Sequence, residues 1–318
     1  MTKKPQIIAL EEHYCDPEVK SRFEDLDAAL PPAVAALLDD VGQGRLADMN
    51  AAGIDIQVLS HSAPSLQKLD ADVAVPLARR ANDRLSETVR AHPDRFAAFA
   101  ALPTADPQAA ADELERTVSR LGFKGAMLHG LAHGLFLDDK RFWPIFERAQ
   151  ALDVPIYMHP AIPHPAVIEA YYRDYVKEHP SILRAAWGFT VETATQGVRF
   201  VLSGLFDAYP RLKIILGHLG EGLPFTLWRL TMGFARDGTG TNFRDTFCEH
   251  FYITTSGFFS NPALLCCVME MGIDRILFSV DYPFVDNVAG TTWIETLPLS
   301  SEDREKLLNG NARKLLKL

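Results

Sequence analysis

Eight short runs rich in β-branched and aromatic side chains recur along the chain, at 6–13, 54–60, 96–102, 125–128, 154–159, 212–218, 251–256 and 275–281. Stretches with helical periodicity separate them. In 70–92, Val73, Leu77, Ala81, Leu85 and Val89 return to one face at helical spacing. The stretch 106–122 opens on Asp-Pro and stops on Gly. The stretches 138–153 and 300–318 are also helical, the last with a break predicted near Asn309-Gly310. Strand alternating with helix predicts parallel βαβ units. Eight such units predict an α/β fold, a (β/α)8 TIM barrel ahead of an open doubly wound sheet. The Gly-rich phosphate loops that serve nucleotide sites on open sheets, GxGxxG or GxxxxGK[ST], follow none of the runs. With 318 residues the chain has the length of one barrel with insertions, so 1–318 is expected to form a single domain. Two segments exceed ordinary connections: 15–44 after the first run and 161–186 after the fifth. Both are expected on the C-terminal face, where barrel active sites lie.

Composition excludes several classes. The net charge is -9 and no basic tract occurs, which argues against a nucleic-acid partner. The four cysteines, Cys15, Cys248, Cys266 and Cys267, contain no CxxC pair, so neither a disulfide framework nor a zinc ribbon is expected. Thiols in a reducing cytoplasm are the simplest reading. The apolar start of the first run, Ile7 to Leu10, is too short for a signal peptide. No stretch approaches the roughly 20 apolar residues of a transmembrane helix, so no membrane partner is expected.

The ends of the runs carry the chemistry. The first, "ALEEH", ends in Glu11, Glu12 and His13. Ionised side chains are costly to bury unless they are paired or bind a metal. Glu11 and His13 are two apart, so on a strand they share a face. The fifth run, "VPIYMHP", ends in His159; the sixth, "LKIILGHLGE", in His218 with Glu221 after it; the eighth, "RILFSVDYPF", in Asp281. Each alone has an ordinary explanation: a strand end at the surface, a core histidine, a helix cap. In a closed barrel, however, all these strand ends ring one mouth. Such convergence points to a metal site with Glu11, His13, His159 and Asp281 as ligands. Mixed nitrogen and oxygen ligation suits one divalent ion per chain, Mn2+ or Zn2+.

The order of these motifs resembles that of the amidohydrolase superfamily, a metal-dependent (β/α)8 barrel family. Its usual signature is HxH after the first strand, His after the fifth, His after the sixth and Asp after the eighth. This chain departs at the first position, where Glu11-x-His13 stands in place of HxH. Lys124 begins the fourth run instead of ending it, so a bridging carboxylated lysine is not expected and one ion is. The segments "ALEEH", "RANDRLSE", "PDRFAAFAALP", "SGLFDAYPRLKIILGHLGEGLP" and "NARKLLKL" resemble the non-oxidative aromatic-acid decarboxylases. That branch includes γ-resorcylate, 2,3-dihydroxybenzoate and 5-carboxyvanillate decarboxylases.

The resemblance implies a carboxy-lyase of aromatic compound catabolism. Its reaction would be metal-dependent, reversible conversion of a hydroxylated benzoic acid to a phenol and CO2. Asp281 would deliver a proton to the ring, and His218 and Glu221 would hydrogen-bond to one another or to the substrate. Trp187, Phe189 and Phe284 would line the ring pocket; Arg229 would reach a substrate oxygen or a neighbouring subunit. The resemblance also implies a small aromatic acid as ligand and a homodimer or homotetramer. Arg45 is expected in a surface salt bridge, His129 and His164 near the mouth, and His61, His92 and His250 on turns or at the surface. The competing readings are a metal-dependent hydrolase of a lactone or amide on the same barrel, and a non-enzyme with a structural metal. Glu11 counts against the hydrolase, because superfamily hydrolases more often carry HxH.

Overall fold

The computed structural model describes residues 5–23, 30–238, 240 and 242–318; positions 24–29 of the first long segment lie outside the described residues. Nine parallel strands follow one another: β1 (Ile8–Tyr14), β2 (Ile56–His61), β3 (Phe96–Ala98), β4 (Ala100–Ala101), β5 (Ala126–His129), β6 (Ile156–His159), β7 (Ile214–Leu216), β8 (Phe251–Thr254) and β9 (Ile276–Leu277). They make eight staves, because β3 and β4 are one run divided at Phe99. There the chain passes from one neighbour to the other: Phe99 N donates to Leu59 O on β2 (2.9 Å) and Ala100 N to Gly125 O before β5 (2.9 Å). This is the TIM-barrel architecture that the alternation predicts.

The ladder stops between β9 and β1, and the seam is bridged by other bonds. His13 N donates to Tyr282 O (2.7 Å), and Glu11 N to Ser279 Oγ (2.7 Å). The Glu12 carboxylate accepts from Val280 N (2.9 Å), Ser279 Oγ (3.1 Å) and Tyr282 N (3.2 Å). The eighth run was expected to be strand over 275–281; the regular ladder covers only Ile276–Leu277, because beyond it the backbone turns its amides to Glu12.

Each strand is buried on both faces, which explains the continuous apolar runs. Ile8, Leu10, Val58, Phe99, Met127, Tyr157, Ile215 and Leu277 fill the barrel interior. Ala126, Leu128, Ile156, Met158, Ile214 and Leu216 face outward and pack with helix residues such as Leu114, Phe146 and Phe200. A β-bulge interrupts this alternation in β1. Ala9 pairs with Gln57 and Glu12 with Leu59, so Leu10 and Glu11 together oppose the single Val58. A bulge re-aims the side chains beyond it. Here Glu11 and His13 turn inward to the mouth, and Glu12 turns outward to the seam.

The helix Ala71–Ala91 buries Leu77, Ala81 and Leu85, as its spacing predicts. Asp106 caps the helix Pro107–Arg116 by accepting from Ala109 N (3.0 Å). The C-terminal helix is not broken at Asn309-Gly310. A wide π turn (Lys306–Gly310) absorbs those residues, with Asn309 donating to Gln6 O (2.9 Å). The two long segments contain short helices of their own, among them Pro32–Asp39 and Arg173–Val176. Among the described residues no helix is long and apolar enough to cross a membrane.

Candidate metal centre

Four inward-facing side chains converge at the mouth. Glu11, His13, His159 and Asp281 each offer a ligand atom, and these atoms all lie within 4.8 Å of one another. Glu11 divides its carboxylate between two tasks. Oε2 accepts from Tyr157 OH and Ser256 Oγ below it, and Tyr157 OH also bonds Thr254 Oγ1 (2.7 Å). Oε1 is left facing His159 Nε2 (3.3 Å), His13 Nε2 (3.8 Å) and His218 Nε2 (4.0 Å). Gly217 has no side chain because the space is taken: a Cβ there would stand 2.7 Å from Glu11 Oε2.

Each imidazole is oriented through its other nitrogen. His159 Nδ1 lies 2.7 Å from Pro160 O, so the proton sits on Nδ1 and the Nε2 lone pair faces the cluster. His13 Nδ1 lies 3.3 Å from Ser60 Oγ, and its Nε2 is 3.3 Å from Asp281 Oδ1. Burial lowers the His159 imidazole to about 4, so it is neutral. Burial opposes a charge on His13 as well, but Asp281 and Glu11 raise it to about 9. Glu11 Oε1 and His13 Nε2 are buried without a hydrogen-bond partner. An orphaned buried polar atom costs about 1–3 kcal/mol, and a cation between these two would satisfy both. The donor set and its orphaned atoms therefore fit a divalent ion.

Beside the cluster stands a turn of unusual hand. His218, Leu219, Gly220, Glu221 and Gly222 all have positive φ (47°, 55°, 75°, 54° and 75°), one turn of left-handed helix. For residues other than glycine this conformation costs roughly 1–2 kcal/mol each, and three of the five carry side chains. The turn aims two of them together: His218 Nδ1 is 2.8 Å from Glu221 Oε1, and Glu221 Oε2 accepts from Thr190 Oγ1 (2.8 Å). His218 Nε2 then faces Asp281 Oδ2 at 3.6 Å. Burial disfavours a charged His218, yet Glu221, Glu11 and Asp281 hold it well above the usual histidine range. Asp281 itself has φ +74°, a further strained residue at the same mouth.

An amidohydrolase family profile matches residues 20–318. The chain belongs to the amidohydrolase family. Within it, its relatives include aromatic-acid decarboxylases. The γ-resorcylate decarboxylase of Polaromonas sp. is 42% identical over 98% of both chains. A crystal structure of a dihydroxybenzoic acid decarboxylase from Polaromonas sp., with bound manganese and the inhibitor 2-nitroresorcinol, superposes with a TM-score of 0.90 at 41% identity, covering 99% of this chain and 98% of that one. The 5-carboxyvanillate decarboxylase of Sphingomonas paucimobilis gives 0.91 at 34% identity, covering 99% and 100%.

The remaining expected residues of this amidohydrolase are distributed unequally. The Phe284 ring packs edge-on against His13 (5.6 Å) at the rim. Trp187 stands before the helix Gly188–Leu202, is 54% exposed, and borders an open depression with Tyr175 and Ile182. Phe189 is half-buried on the same helix, and Arg229 is exposed on the helix Leu223–Ala235. His164 caps a short helix, its Nδ1 accepting from Ala166 N (3.1 Å).

Three expectations are corrected. Arg45 is not in a surface salt bridge but fully buried behind the mouth. It donates to His13 O, Asp40 O (2.9 Å), Leu37 O (3.3 Å) and Gln57 Oε1 (3.3 Å), and its guanidinium lies over the Tyr282 ring (4.7 Å). It thus ties the first long segment to a ligand strand, and burial lowers it to about 10. His61 and His250 are buried too: His61 Nε2 accepts from Asp16 N (3.0 Å), and His250 stacks on Phe206 (4.2 Å). Sequence reasoning also passed over Tyr157, Thr254 and Ser256. The available signal was the period of two, which puts Tyr157 on the same face as His159.

Proposed function

We propose that this amidohydrolase is a metal-dependent, non-oxidative decarboxylase that converts a hydroxybenzoic acid to a phenol and CO2. The observation that carries the reading is the inward convergence of Glu11, His13, His159 and Asp281, with orphaned buried atoms on two of them, beside the His218–Glu221 pair. The similarity to γ-resorcylate decarboxylase supports the substrate class. Glu11, His13, His159 and Asp281 hold one divalent ion, Mn2+ or Zn2+; the manganese of the Polaromonas relative favours Mn2+. When bound, the ion supplies a Lewis acid and a template for the substrate's oxygens. Asp281 gives a proton to the ring carbon that bears the carboxylate. CO2 then leaves, and the electrons of the broken C–C bond restore the aromatic ring. His218 holds a proton at Nε2, 3.6 Å from Asp281, and Glu221 orients it through Nδ1. Phe284 borders the ring of the substrate, with Trp187 and Phe189 on the side of the second long segment.

Residues 1–318 act as one metal-dependent barrel domain, and the protein works in the cytoplasm as a homodimer or homotetramer. The exposed stripe Phe225, Trp228 and Met232, with Arg229 among them, supports assembly. Light scattering measures that state directly.

The test is a spectrophotometric screen of γ-resorcylate, 2,3-dihydroxybenzoate, salicylate and 5-carboxyvanillate with added Mn2+ or Zn2+, with metal analysis of the same protein. Chelator-sensitive loss of an acid with phenol formation is expected. One bound ion per chain with no acid consumed, and hydrolysis of a lactone or amide instead, would overturn the reading.

A further inference from the structure

The open seam of the barrel passes through the ion site. Glu11 and His13 belong to the first stave, β1, and Asp281 follows the last, β9; the ladder that spaces the other staves stops between these two. His13 Nε2 and Asp281 Oδ1 face each other across the seam at 3.3 Å. Two ligand atoms each about 2.1 Å from one ion stand roughly 3.0–3.4 Å apart at ordinary coordination angles. The site therefore depends on a spacing that strand pairing does not fix.

The helix Gln43–Ala52 lies where it can fix it. Arg45 and Asp48 are three apart on this helix and share one face. On the first side of the seam, Arg45 Nη2 donates to His13 O, while His13 N donates across to Tyr282 O (2.7 Å). On the other side stands Tyr282, the residue after Asp281. Its ring lies under the Arg45 guanidinium (4.7 Å), and its hydroxyl donates to Asp48 Oδ2 (2.7 Å). A further link runs from Arg45 Nη1 to Gln57 Oε1 (3.3 Å), and from Gln57 Nε2 to Asn287 Oδ1 (3.3 Å). Asn287 opens the helix Asn287–Glu295, which follows Asp281. Burying a guanidinium is costly unless its donors are met; among the contacts that meet those of Arg45 are the ones that span the seam.

We propose that Arg45 and Asp48 are positioning residues that act through His13 and Tyr282: they clamp the seam and so hold the His13–Asp281 spacing at that of one divalent ion. The proposal rests on the reading of Glu11, His13, His159 and Asp281 as ion ligands.

Metal-free protein is titrated with Mn2+, the free ion being read from its EPR signal, and denaturant midpoints are measured on the same samples. Wild type is compared with Tyr282→Phe, Asp48→Leu, Asp48→Asn, the double variant Tyr282→Phe/Asp48→Leu, and Arg45→Met. Phe146→Leu, in the helix layer across the barrel from the seam, controls for lost stability alone. Tyr282→Phe and Asp48→Leu each weaken Mn2+ binding about tenfold, within the range for loss of an outer-shell partner. The double variant is no weaker than either single, because both lose the same bond. Asp48→Asn keeps an acceptor for the hydroxyl and restores binding. Arg45→Met weakens it about 100-fold; if that variant does not fold, the Tyr282 and Asp48 variants decide. Phe146→Leu lowers the midpoint and leaves Mn2+ binding unchanged. Unchanged Mn2+ binding in the folded Tyr282 and Asp48 variants, or an equal loss in Phe146→Leu, overturns the clamp alone. A wild type that takes up neither Mn2+ nor Zn2+ overturns the ion-ligand reading and the clamp with it.

Discussion

Glu11 and Glu12 are neighbours at the tip of β1, and both are fully buried. Glu11 faces the mouth and three imidazoles; Glu12 faces the seam and meets only neutral donors, Val280 N, Tyr282 N and Ser279 Oγ. Burial pushes both carboxyls up. At Glu11 the charges of His218 and His13 overcome it and hold the group well below the usual range. At Glu12 burial wins over the neutral donors, and the carboxyl rises to about 7. Residue type and depth are the same on the two faces. Charged surroundings make one face a place for chemistry, and neutral ones make the other a latch that joins the last stave to the first.

The contrast can be broken by substitution. Glu11→Gln should remove nearly all bound metal and lower decarboxylation by more than the ~10–100-fold that loss of an outer-shell partner costs, while circular dichroism stays native. Normal metal content in that variant would end the distinction. Glu12→Gln should do the converse. One oxygen becomes an amide that faces backbone N–H groups, so stability falls by about 1–3 kcal/mol, read from denaturant midpoints, with metal content unchanged. Loss of metal at an unchanged midpoint would show that the two faces are not separate.

The smallest signal is in pH. The ordinary value of the Glu12 carboxyl is 4.5 and its folded value is about 7, so the folded protein holds an extra proton in between. Its contribution to stability is therefore complete below pH 4.5 and is lost as pH rises to about 7. The gap in melting temperature between wild type and Glu12→Gln should narrow across that window. A gap that is flat or widens would place the charge of Glu12 elsewhere.

The same contrast shows what a sequence can and cannot display. Strand ends are legible because apolar runs stop where ligand-type residues start, and closure of the barrel collects those ends. Hence His159, His218 and Asp281, at the ends of three separate runs, converge at one mouth. In "ALEEH", parity alone cannot say which glutamate faces inward, because a bulge is a pairing event and depends on Val58 of another strand. Arg45 read as a surface cation, since nothing local announces that four acceptors from three parts of the chain will enclose it. Tyr157 was hidden for a related reason: its hydroxyl matters only once Glu11 is above it. The helix at the C-terminus was expected to break because Asn-Gly is a poor helical pair, whereas the packed Leu307 and Leu308 hold it through a π turn.

The left-handed turn at 218–222 also limits how this site can be copied. On a right-handed helix, residues three apart are offset in one rotational sense; on a left-handed turn the offset is reversed. The spacing His-x-x-Glu therefore does not specify the arrangement seen between His218 and Glu221. Grafted onto an ordinary helix, the same four letters would bring the carboxylate to the imidazole from the opposite side, and the proton-bearing nitrogen would face away from the partner it serves here.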